Sequence, residues 1–332
     1  YWVPSDTEVW VAAELDPSSS SSTSSTQLCS FLPINKAISK AVRAKLADCI
    51  KIDDPNMLWE MPDDFISLAS VNESAILYTA RKRFTEKLIY TSCGSVLMSL
   101  NPFEKIEKLY GTEVMAEYVD PLRDEWKAQV YLIPSRAYQQ MKAFGKNQSL
   151  LISGESGAGK TEAAKQCLSF IANIAGASVE PSTRTRRGSQ LVGSKNLAKD
   201  IANRVISASP ILESFGNAQT LRNPNSSRFG KWMELDFDKN DQICGSNVIS
   251  YLLEKSRVSR ITAGERNYHI FYQLLRGLTP TELISMKLSS STLSYRYLIS
   301  SGSSTEALSL IPFSAPPSRT PLSSAVFCWQ TT

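Results

Sequence analysis

An α/β fold, in which helices flank a mixed sheet, is what the 332-residue sequence predicts. The first observation is the short apolar run at 149–153, which is typical of a buried strand. The second is the glycine-rich stretch GESGAGKT at 154–161, which follows that run directly. The third is the change to helical spacing of apolar residues from Ala164 to Ala175. A strand, a glycine-rich loop and a helix in this order are typical of the P-loop NTPase type of fold.

The N-terminal 46 residues contain three predicted segments. Residues 1–15 are rich in aromatic residues and valine, with a break at 4–6, and this pattern predicts a β-hairpin. Residues 17–26 are almost all serine and threonine, so they cannot bury a core, and we expect a flexible linker or loop insertion. Residues 34–46 have helix-like spacing and predict a helix.

The next segments alternate between helical and strand-like patterns. Residues 63–83 predict a helix with Leu68, Ile76 and Leu77 facing the core. Residues 88–100 predict one or two buried strands, because the segment is mostly apolar around one glycine. Residues 136–144 predict a helix that leads into the apolar run before the glycine-rich stretch.

The glycine-rich stretch fits the phosphate-loop pattern G-x-x-x-x-G-K-[ST] at every fixed position. Glycines let backbone N–H groups surround a polyphosphate, and the following helix N-terminus adds partial positive charge. Lys160 is expected to reach the β- and γ-phosphates, and the Thr161 hydroxyl to ligate Mg²⁺. The predicted nucleotide contacts in this loop are Gly154, Glu155, Ser156, Gly157, Ala158, Gly159, Lys160 and Thr161.

The segments after the phosphate loop predict a loop, a helix and a hairpin. Residues 176–196 are polar and predict a surface loop. Residues 197–208 predict a short amphipathic helix that Pro210 ends. Residues 231–237 alternate between apolar and polar side chains and, with a second strand near 243–249, predict a β-hairpin.

The last third of the chain changes character near its end. Residues 251–258 and 267–278 predict helices, and in the second of these the apolar residues repeat at helical spacing. Residues 303–332 are rich in serine and proline without sustained periodicity, so we expect disorder there.

Composition excludes some classes of function. The chain has 36 basic and 32 acidic residues, a balance that argues against a nucleic-acid-binding protein. None of the six cysteines belongs to a CxxC pair, so neither a zinc site nor a disulfide framework is expected. The sequence contains no run of 18 apolar residues and no signal-peptide pattern, so we expect a cytoplasmic protein without a transmembrane segment.

A second polar constellation, NPNSSRFGK, occupies residues 223–231. The adjacent hydroxyls of Ser226 and Ser227 suit a polyphosphate site: one can ligate Mg²⁺ opposite Thr161 while the other contacts the γ-phosphate or the attacking water. Arg228 can stabilise negative charge or bind an acidic partner. A polar turn that merely precedes a strand is the structural alternative for this segment.

Together, GESGAGKTEAAK and NPNSSRFGK, about 60 residues apart, resemble the corresponding motifs of the myosin motor head. Kinesins share an N-x-x-S-S-R element, but serine and histidine usually follow its arginine. Here the residues after the arginine are Phe229, Gly230 and Lys231, which is the myosin form. The resemblance extends over residues 65–302 and, weakly, over 1–15, and a kinesin-like motor is the less favoured alternative.

The resemblance implies that the chain binds ATP and Mg²⁺ as part of an ATP-hydrolysing motor. Thr161 and Ser227 would be the magnesium ligands. Asn223 and Ser226 would lie near the γ-phosphate, with Ser226 close to the attacking water and Lys160 neutralising charge.

The resemblance also assigns roles away from the phosphates. Arg228 would pair with a glutamate of the family's switch II segment. His269, the only histidine, would be structural. The adenine pocket would be lined by Asn101, Pro102, Phe103 and Tyr110.

The implied organisation has three parts. Residues 1–30 would be a remnant of an SH3-like β domain with a serine-rich insertion, 31–302 the N-terminal part of the motor domain, and 303–332 an unrelated tail. The expected partner is the actin filament, bound mostly through surfaces beyond this chain, and the expected location is the cytoplasmic cytoskeleton. Light chains and cargo are not indicated by any residue.

One family element is missing from the sequence. Switch II has the form Asp-x-x-Gly-Phe-Glu, and no aspartate here has a glycine three positions on. We therefore expect Arg228 to lack its acidic partner. We also expect this chain to be a catalytically incomplete nucleotide-binding fragment of a head, without motor activity of its own.

Overall fold

The computed structural model describes six stretches of the chain, which form two compact units, Tyr1–Met98 and Ser99–Thr332. The described stretches are 1–17, 28–35, 40–119, 126–177, 194–299 and 329–331. Their strands form five separate sheets mixed with helices, and none of these sheets closes into a barrel. Within these stretches, no helix combines the length and the apolar character needed to cross a membrane.

The first unit contains a four-stranded antiparallel sheet in the order β1-β2-β3-β4. Its strands are β1 (Trp2–Ser5), β2 (Val9–Leu15), β3 (Leu28–Pro33) and β4 (Val42–Lys45). Trp2 lies opposite Ala12, which confirms the hairpin predicted for residues 1–15. The buried side chains of this sheet form one core cluster: Val3, Val11, Ala13, Cys29, Phe31 and Ala44.

The helix predicted for residues 34–46 is wrong. Within the described residues of that segment, 42–45 form β4, which pairs with β3 so that Val42 lies opposite Phe31. Strand pairing buries Ala44, and this long-range gain outweighs the helix-like spacing, which has weak caps. The predicted serine-rich linker lies outside the described residues from residue 18 onwards.

The first helix, α1 (Glu73–Thr85), begins ten residues later than predicted, because the Asn72 side chain caps it by accepting a hydrogen bond from the Ala75 amide. Leu68 is buried ahead of the helix, whereas Leu77 is exposed, so the prediction for Leu77 is wrong. The inner face of α1 ends with Arg83.

Arg83 is 2% exposed and all of its described partners are oxygen atoms. Its Nε donates to Thr91 Oγ1 at 2.9 Å, and its Nη1 to the Met61 carbonyl at 2.9 Å. Its Nη2 lies 2.8 Å from Asp63. Thr91 belongs to β5 (Tyr90–Cys93), which is followed by β6 (Val96–Ser99), so the strands predicted for 88–100 are confirmed.

The second unit is built mainly from helices around the phosphate loop. They are α2 (Thr112–Glu117), α3 (Leu132–Phe144), α4 (Lys160–Ala177), α5 (Ser194–Gly216), α6 (Ser256–Ser259), α7 (His269–Gly277) and α8 (Pro280–Ser285). The helices predicted for 136–144 and 267–278 are confirmed as α3 and α7. Short 3-10 helices span Leu46–Asp48, Pro55–Leu58, Phe65–Ser67, Thr292–Ser294 and Arg296–Leu298.

Helix α5 runs through Pro210, so the predicted helix end at that proline is wrong. Proline removes one backbone hydrogen bond and normally breaks a helix interior. Here α5 packs along α4 and α7, and these tertiary contacts outweigh the local cost. Of the predicted polar loop at 176–196, residues 178–193 lie outside the described residues.

The hairpin predicted after α5 is confirmed as β10 (Gly230–Phe237) and β11 (Ile243–Tyr251). Trp232 lies opposite Ile249, and the outward face of β10 is exposed, as the alternation predicts. Because β11 continues to Tyr251, the helix predicted for 251–258 is reduced to the single turn of α6.

The strand before the phosphate loop is β7 (Leu150–Ile152), and its described partner is β12 (Trp329–Thr331), which is antiparallel to it. The side chain of Leu151 is 62% exposed, so the expectation of a buried strand is wrong for the described residues. The described strands form separate sheets of two or four strands, and the P-loop NTPase type of sheet stays a prediction. Of the tail predicted to be disordered, 329–331 form β12 and the remainder lies outside the described residues.

Candidate nucleotide-binding site

The phosphate loop connects β7 to α4 through three glycines with positive φ angles. These angles are 151° at Gly154, 85° at Gly157 and 91° at Gly159. Positive φ is strained for residues with a Cβ, so the loop conformation requires glycine at these positions. The pattern G-x-x-x-x-G-K-[ST] specifies Gly154 and Gly159, and the structure shows that Gly157 also has a positive φ angle.

Lys160, the first residue of α4, folds back across the loop. Its Nζ donates to the carbonyl oxygens of Gly154 at 2.7 Å and Glu155 at 2.8 Å. Partial burial lowers the pKa of the Lys160 ammonium below its usual value. The side chain of Thr161 is exposed beside it. The two residues predicted to contact phosphate and Mg²⁺ are therefore adjacent at the mouth of the loop.

Side chains distant in sequence converge on the loop. Asn101 Nδ2 donates to the Gly157 carbonyl at 2.6 Å. Asn223 Nδ2 donates to Ser156 Oγ at 3.2 Å, and Ser156 Oγ donates to Ser226 Oγ at 2.8 Å. Asn101, Asn223 and Ser226, all predicted from sequence, are thus held around the same few atoms.

The two adjacent serines occupy opposite environments. They form β9 (Ser226–Ser227), which pairs with β8 (Asn217–Ala218). Successive side chains of a strand point to opposite faces, so only one serine can face the loop. Ser226 is fully buried, whereas Ser227 is exposed and donates to the Phe229 carbonyl at 3.2 Å. The described contacts bring Ser226 to the phosphate loop. The role of Ser227 as a magnesium ligand stays a prediction.

Among the described residues Arg228 has an acidic partner, Glu254, which is not the switch II glutamate that the resemblance implies. Arg228 Nε donates to Glu254 Oε2 at 2.5 Å, and its Nη1 donates to Ser226 Oγ at 3.2 Å. Arg257 Nε also donates to Glu254 Oε2, at 2.9 Å. Burial opposes ionisation of Glu254, but the hydrogen bonds from the two arginines outweigh it and lower the pKa of this carboxyl.

The adenine role of Asn101, Pro102, Phe103 and Tyr110 stays a prediction, and these four residues have different described surroundings. Asn101 lies against the phosphate loop, while the side chain of Phe103 is 61% exposed at a φ of 53°. Tyr110 instead borders a cavity of about 460 Å³ between α4 and α5. Pro102 lies between Asn101 and Phe103 and does not border this cavity.

The cavity beside Tyr110 has a mixed polar and apolar lining. Its residues include Thr112, Met115, Tyr131, Gln166, Asn173 and Asn203. Tyr131 donates to Gln166 Oε1 at 3.0 Å, and burial raises the pKa of Tyr131 to about 12. Its volume lies in the range typical of small-molecule sites.

Two residues near the site were not assigned to it by sequence reasoning. Glu254 belongs to a stretch that carries no phosphate-binding motif, and only its contact with Arg228 reveals it. His269 Nε2 lies 3.0 Å from Asn225 Oδ1, within the serine-bearing segment. Burial lowers the pKa of His269, and the charge of Arg266 lowers it further.

A model of one protein family, described as the myosin head (motor domain), matches residues 62–309. The chain belongs to the myosin head family. The match includes both motifs of the site and agrees with the extent of the resemblance recognised in the sequence. It decides against the kinesin-like alternative.

Individual relatives support the assignment. The myosin head of this chain is 44% identical to the myosin IC heavy chain of Dictyostelium discoideum over 66% of this chain and 18% of that protein. It is 37% identical to myosin-2 of Lachancea kluyveri over 86% of this chain and 18% of that protein. It is 35% identical to unconventional myosin-Va of Rattus norvegicus over 91% and 15% respectively. The chain therefore spans less than a fifth of the length of these relatives.

Proposed function

We propose that this chain is the nucleotide-binding part of an actin-based myosin motor that hydrolyses MgATP. The observation that carries the proposal is the convergence of Asn101, Asn223 and Ser226 on a phosphate loop with three positive-φ glycines. A loop built in this way presents backbone N–H groups and hydroxyls toward one point, which suits a polyphosphate.

The phosphate end of the substrate would be held by the loop between Gly154 and Thr161, in the manner of a P-loop NTPase. Lys160 is adjacent to the loop and would exchange its two carbonyl partners for β- and γ-phosphate oxygens. Oxygen donors are the ligands that Mg²⁺ prefers, and the hydroxyls of Thr161 and Ser227 are both exposed. Magnesium bound there would neutralise charge on the phosphates.

The serine-bearing segment would act at the γ-phosphate. Ser226 is buried against Ser156, so its hydroxyl is held in one place before substrate arrives. In this proposal Ser226 and Asn223 orient the γ-phosphate and the attacking water. Arg228 keeps Ser226 in position through the hydrogen bond to its Oγ.

The adenine base would occupy the cavity bordered by Tyr110. The cavity lies along α4, which begins at the phosphate loop, so one nucleotide could extend from the loop into it. Amide groups of Gln166 and Asn173 offer donors and acceptors for a base, and the Tyr110 ring offers a stacking surface. Asn101 would hold the phosphate loop through its hydrogen bond. Pro102 and Phe103 would contact the base only after their own segment rearranges.

The partner of the complete protein would be the actin filament, and its location the cytoplasmic cytoskeleton. Membership of the myosin head family supports both proposals. The antiparallel sheet β1–β4 supports an SH3-like assignment of the N-terminal residues, although that sheet extends to Lys45.

The first experiment titrates the purified chain with a fluorescent ATP analogue in the presence of Mg²⁺. We expect saturable binding that Lys160→Ala weakens by about 30-fold or more, corresponding to at least ~2 kcal/mol for loss of a charge-assisted contact. Lys239→Ala, in the exposed turn of the β10–β11 hairpin, is the matched control and should bind as the parent does. Absence of binding by the parent chain, or equal binding by Lys160→Ala, contradicts the proposal.

The second experiment uses the intact protein that contains these residues. It should co-sediment with actin filaments and be released by MgATP. Co-sedimentation that is insensitive to MgATP contradicts the motor assignment and leaves the nucleotide-binding result to be judged on its own.

A further inference from the structure

We propose that Glu254 is a positioning residue, which holds Arg228 and thereby the Ser226 hydroxyl against the phosphate loop before nucleotide arrives. The consequence for nucleotide binding rests on the function proposed above. The positioning itself is a property of the chain without nucleotide. Residues 219–228 are called the serine loop below.

Glu254 contacts Arg228 through both its side chain and its backbone. The carboxylate accepts from Arg228 Nε at 2.5 Å, and the Glu254 amide donates to the Arg228 carbonyl at 3.0 Å. The Glu254 carbonyl in turn accepts from the Tyr268 hydroxyl at 2.6 Å. A residue 26 positions away in sequence therefore fixes the C-terminal end of the serine loop at two points.

Arg257 prevents the Glu254 carboxylate from turning away. Arg257 is 4% exposed, and it donates to Glu254 at 2.9 Å and pairs with Glu265 at 2.9 Å. A buried guanidinium needs such partners, because an unpaired buried charge is strongly destabilising. The side chain of Glu254 is thus held between two arginines, one buried and one in the serine loop.

Residues of the same segment also hydrogen-bond the N-terminal end of the serine loop. Glu265 Oε1 accepts from the Leu221 amide at 3.4 Å, and the Arg266 amide donates to the Gln219 carbonyl at 3.0 Å. The serine loop is therefore anchored at both ends by the segment 254–266. Only the Glu254 anchor reaches Ser226, through the Arg228 Nη1 contact with Ser226 Oγ.

The strength of this anchor follows from charge and exposure. Arg228 and Glu254 are 29% and 31% exposed at their side chains, so water partly screens the pair. A charge-assisted hydrogen bond in this environment should change the opening equilibrium of the loop by about ten-fold. Neutral Gln at position 254 keeps the size of the side chain and removes the charge.

The test is amide hydrogen exchange of the serine loop in the chain without nucleotide. In Glu254→Gln the amides of Ser226, Ser227 and Arg228 should exchange about ten-fold faster than in the parent. Glu234→Gln is the matched control: it neutralises an exposed glutamate on β10 and should leave these rates unchanged. Unchanged exchange in Glu254→Gln overturns the proposal.

A second comparison distinguishes loss of the Arg228–Glu254 pair from a general weakening of the contacts of Arg257. Glu265→Gln removes the other acidic partner of Arg257 and leaves the Arg228–Glu254 pair in place. The exchange of Ser226 and Ser227 should then stay near the parent rate. Equal acceleration in Glu265→Gln would mean that the effect runs through Arg257, which overturns the proposal.

If Glu254→Gln does not fold, Arg228→Gln carries the same test, and its exchange at Ser226 and Ser227 must rise about ten-fold. Where both variants fold, the double variant should exchange no faster than either single one, because the two residues act as one unit. Simple multiplication of the two effects contradicts the proposal.

Binding of the fluorescent ATP analogue gives an independent measurement. Glu254→Gln should bind about ten-fold more weakly, because part of the binding energy is then used to order the serine loop. If the parent chain does not bind the analogue, the proposed function fails while the exchange result still decides the role of Glu254. If exchange rises and affinity stays unchanged, Glu254 does not position Ser226 for nucleotide, and the proposal is overturned.

Discussion

The unequal environments of Ser226 and Ser227 lead to a prediction about two adjacent alanine substitutions. Ser226→Ala removes a fully buried hydroxyl with two hydrogen bonds, to Ser156 Oγ at 2.8 Å and Arg228 Nη1 at 3.2 Å. Ser227→Ala removes an exposed hydroxyl whose described bond is to the Phe229 carbonyl. The side chains are chemically identical, so the two variants differ only in what surrounds them.

The expected magnitudes follow from these contacts. A hydrogen bond between neutral groups contributes about 1 kcal/mol net, and one to a charged group about 1.5–3 kcal/mol. Arg228 is partly exposed and can replace the lost contact with water, so Ser226→Ala should lower the free energy of unfolding by about 1.5 kcal/mol. Ser227→Ala should lower it by about 0.5 kcal/mol or less, as for other exposed positions.

The measurement is urea unfolding of the parent and both variants, followed by tryptophan fluorescence and by circular dichroism. Midpoints of the transitions are compared at equal slope, which isolates the change in stability. A loss in Ser227→Ala that equals or exceeds the loss in Ser226→Ala refutes the assignment of Ser226 as the serine that faces the phosphate loop. In a parallel titration, Ser227→Ala should reduce the Mg²⁺ dependence of nucleotide binding while its stability remains near that of the parent.

Two further predictions concern the loop backbone and pH. Gly157→Ala should lower the free energy of unfolding by about 1–2 kcal/mol, because a φ of 85° is unfavourable for a residue with a Cβ. The control is Gly277→Ala in α7, where an added Cβ meets no atom within 4 Å. In the same urea assay this control should be neutral or stabilising by up to ~1 kcal/mol. Equal effects of the two glycine substitutions would contradict the strain argument. In the folded chain, burial and then the charge of Arg266 lower the pKa of His269 below its usual value of 6.5. As the pH falls, the unfolded chain therefore binds a proton at His269 before the folded chain does. The free energy of unfolding should then decrease below about pH 6.5. The melting temperature of the parent should therefore fall more between pH 7.5 and 5.5 than that of His269→Gln, and parallel curves would exclude His269 as the cause.

Local patterns predicted the elements whose stabilising interactions are themselves local. The hairpin β10–β11 follows from strict alternation around a tight turn, and α7 from apolar residues at helical spacing. The phosphate loop follows from glycines whose φ angles no other residue adopts readily. In each case the residues that decide the conformation lie within a few positions of one another.

The wrong predictions concern segments whose conformation depends on contacts with residues distant in sequence. Residues 42–45 became a strand because β3 offered a pairing edge, and α5 continued past Pro210 because this helix packs against α4 and α7. Long-range packing also decides the surroundings of Asn101, which donates to the phosphate loop, and of Tyr110, which borders a cavity. Their role in binding adenine stays a prediction. Nothing in the local sequence records which of these environments a side chain meets.

The sequence by itself determined that this protein has a glycine-rich stretch of the phosphate-loop pattern and a serine-bearing segment of the myosin form, since motif spacing and glycine conformation are local properties. Only the tertiary structure decided that Ser226, and not Ser227, faces the loop, because strand register sets which side chain points inward. It alone also revealed Glu254 as the partner of Arg228, because an ion pair across 26 positions depends on how the chain folds back.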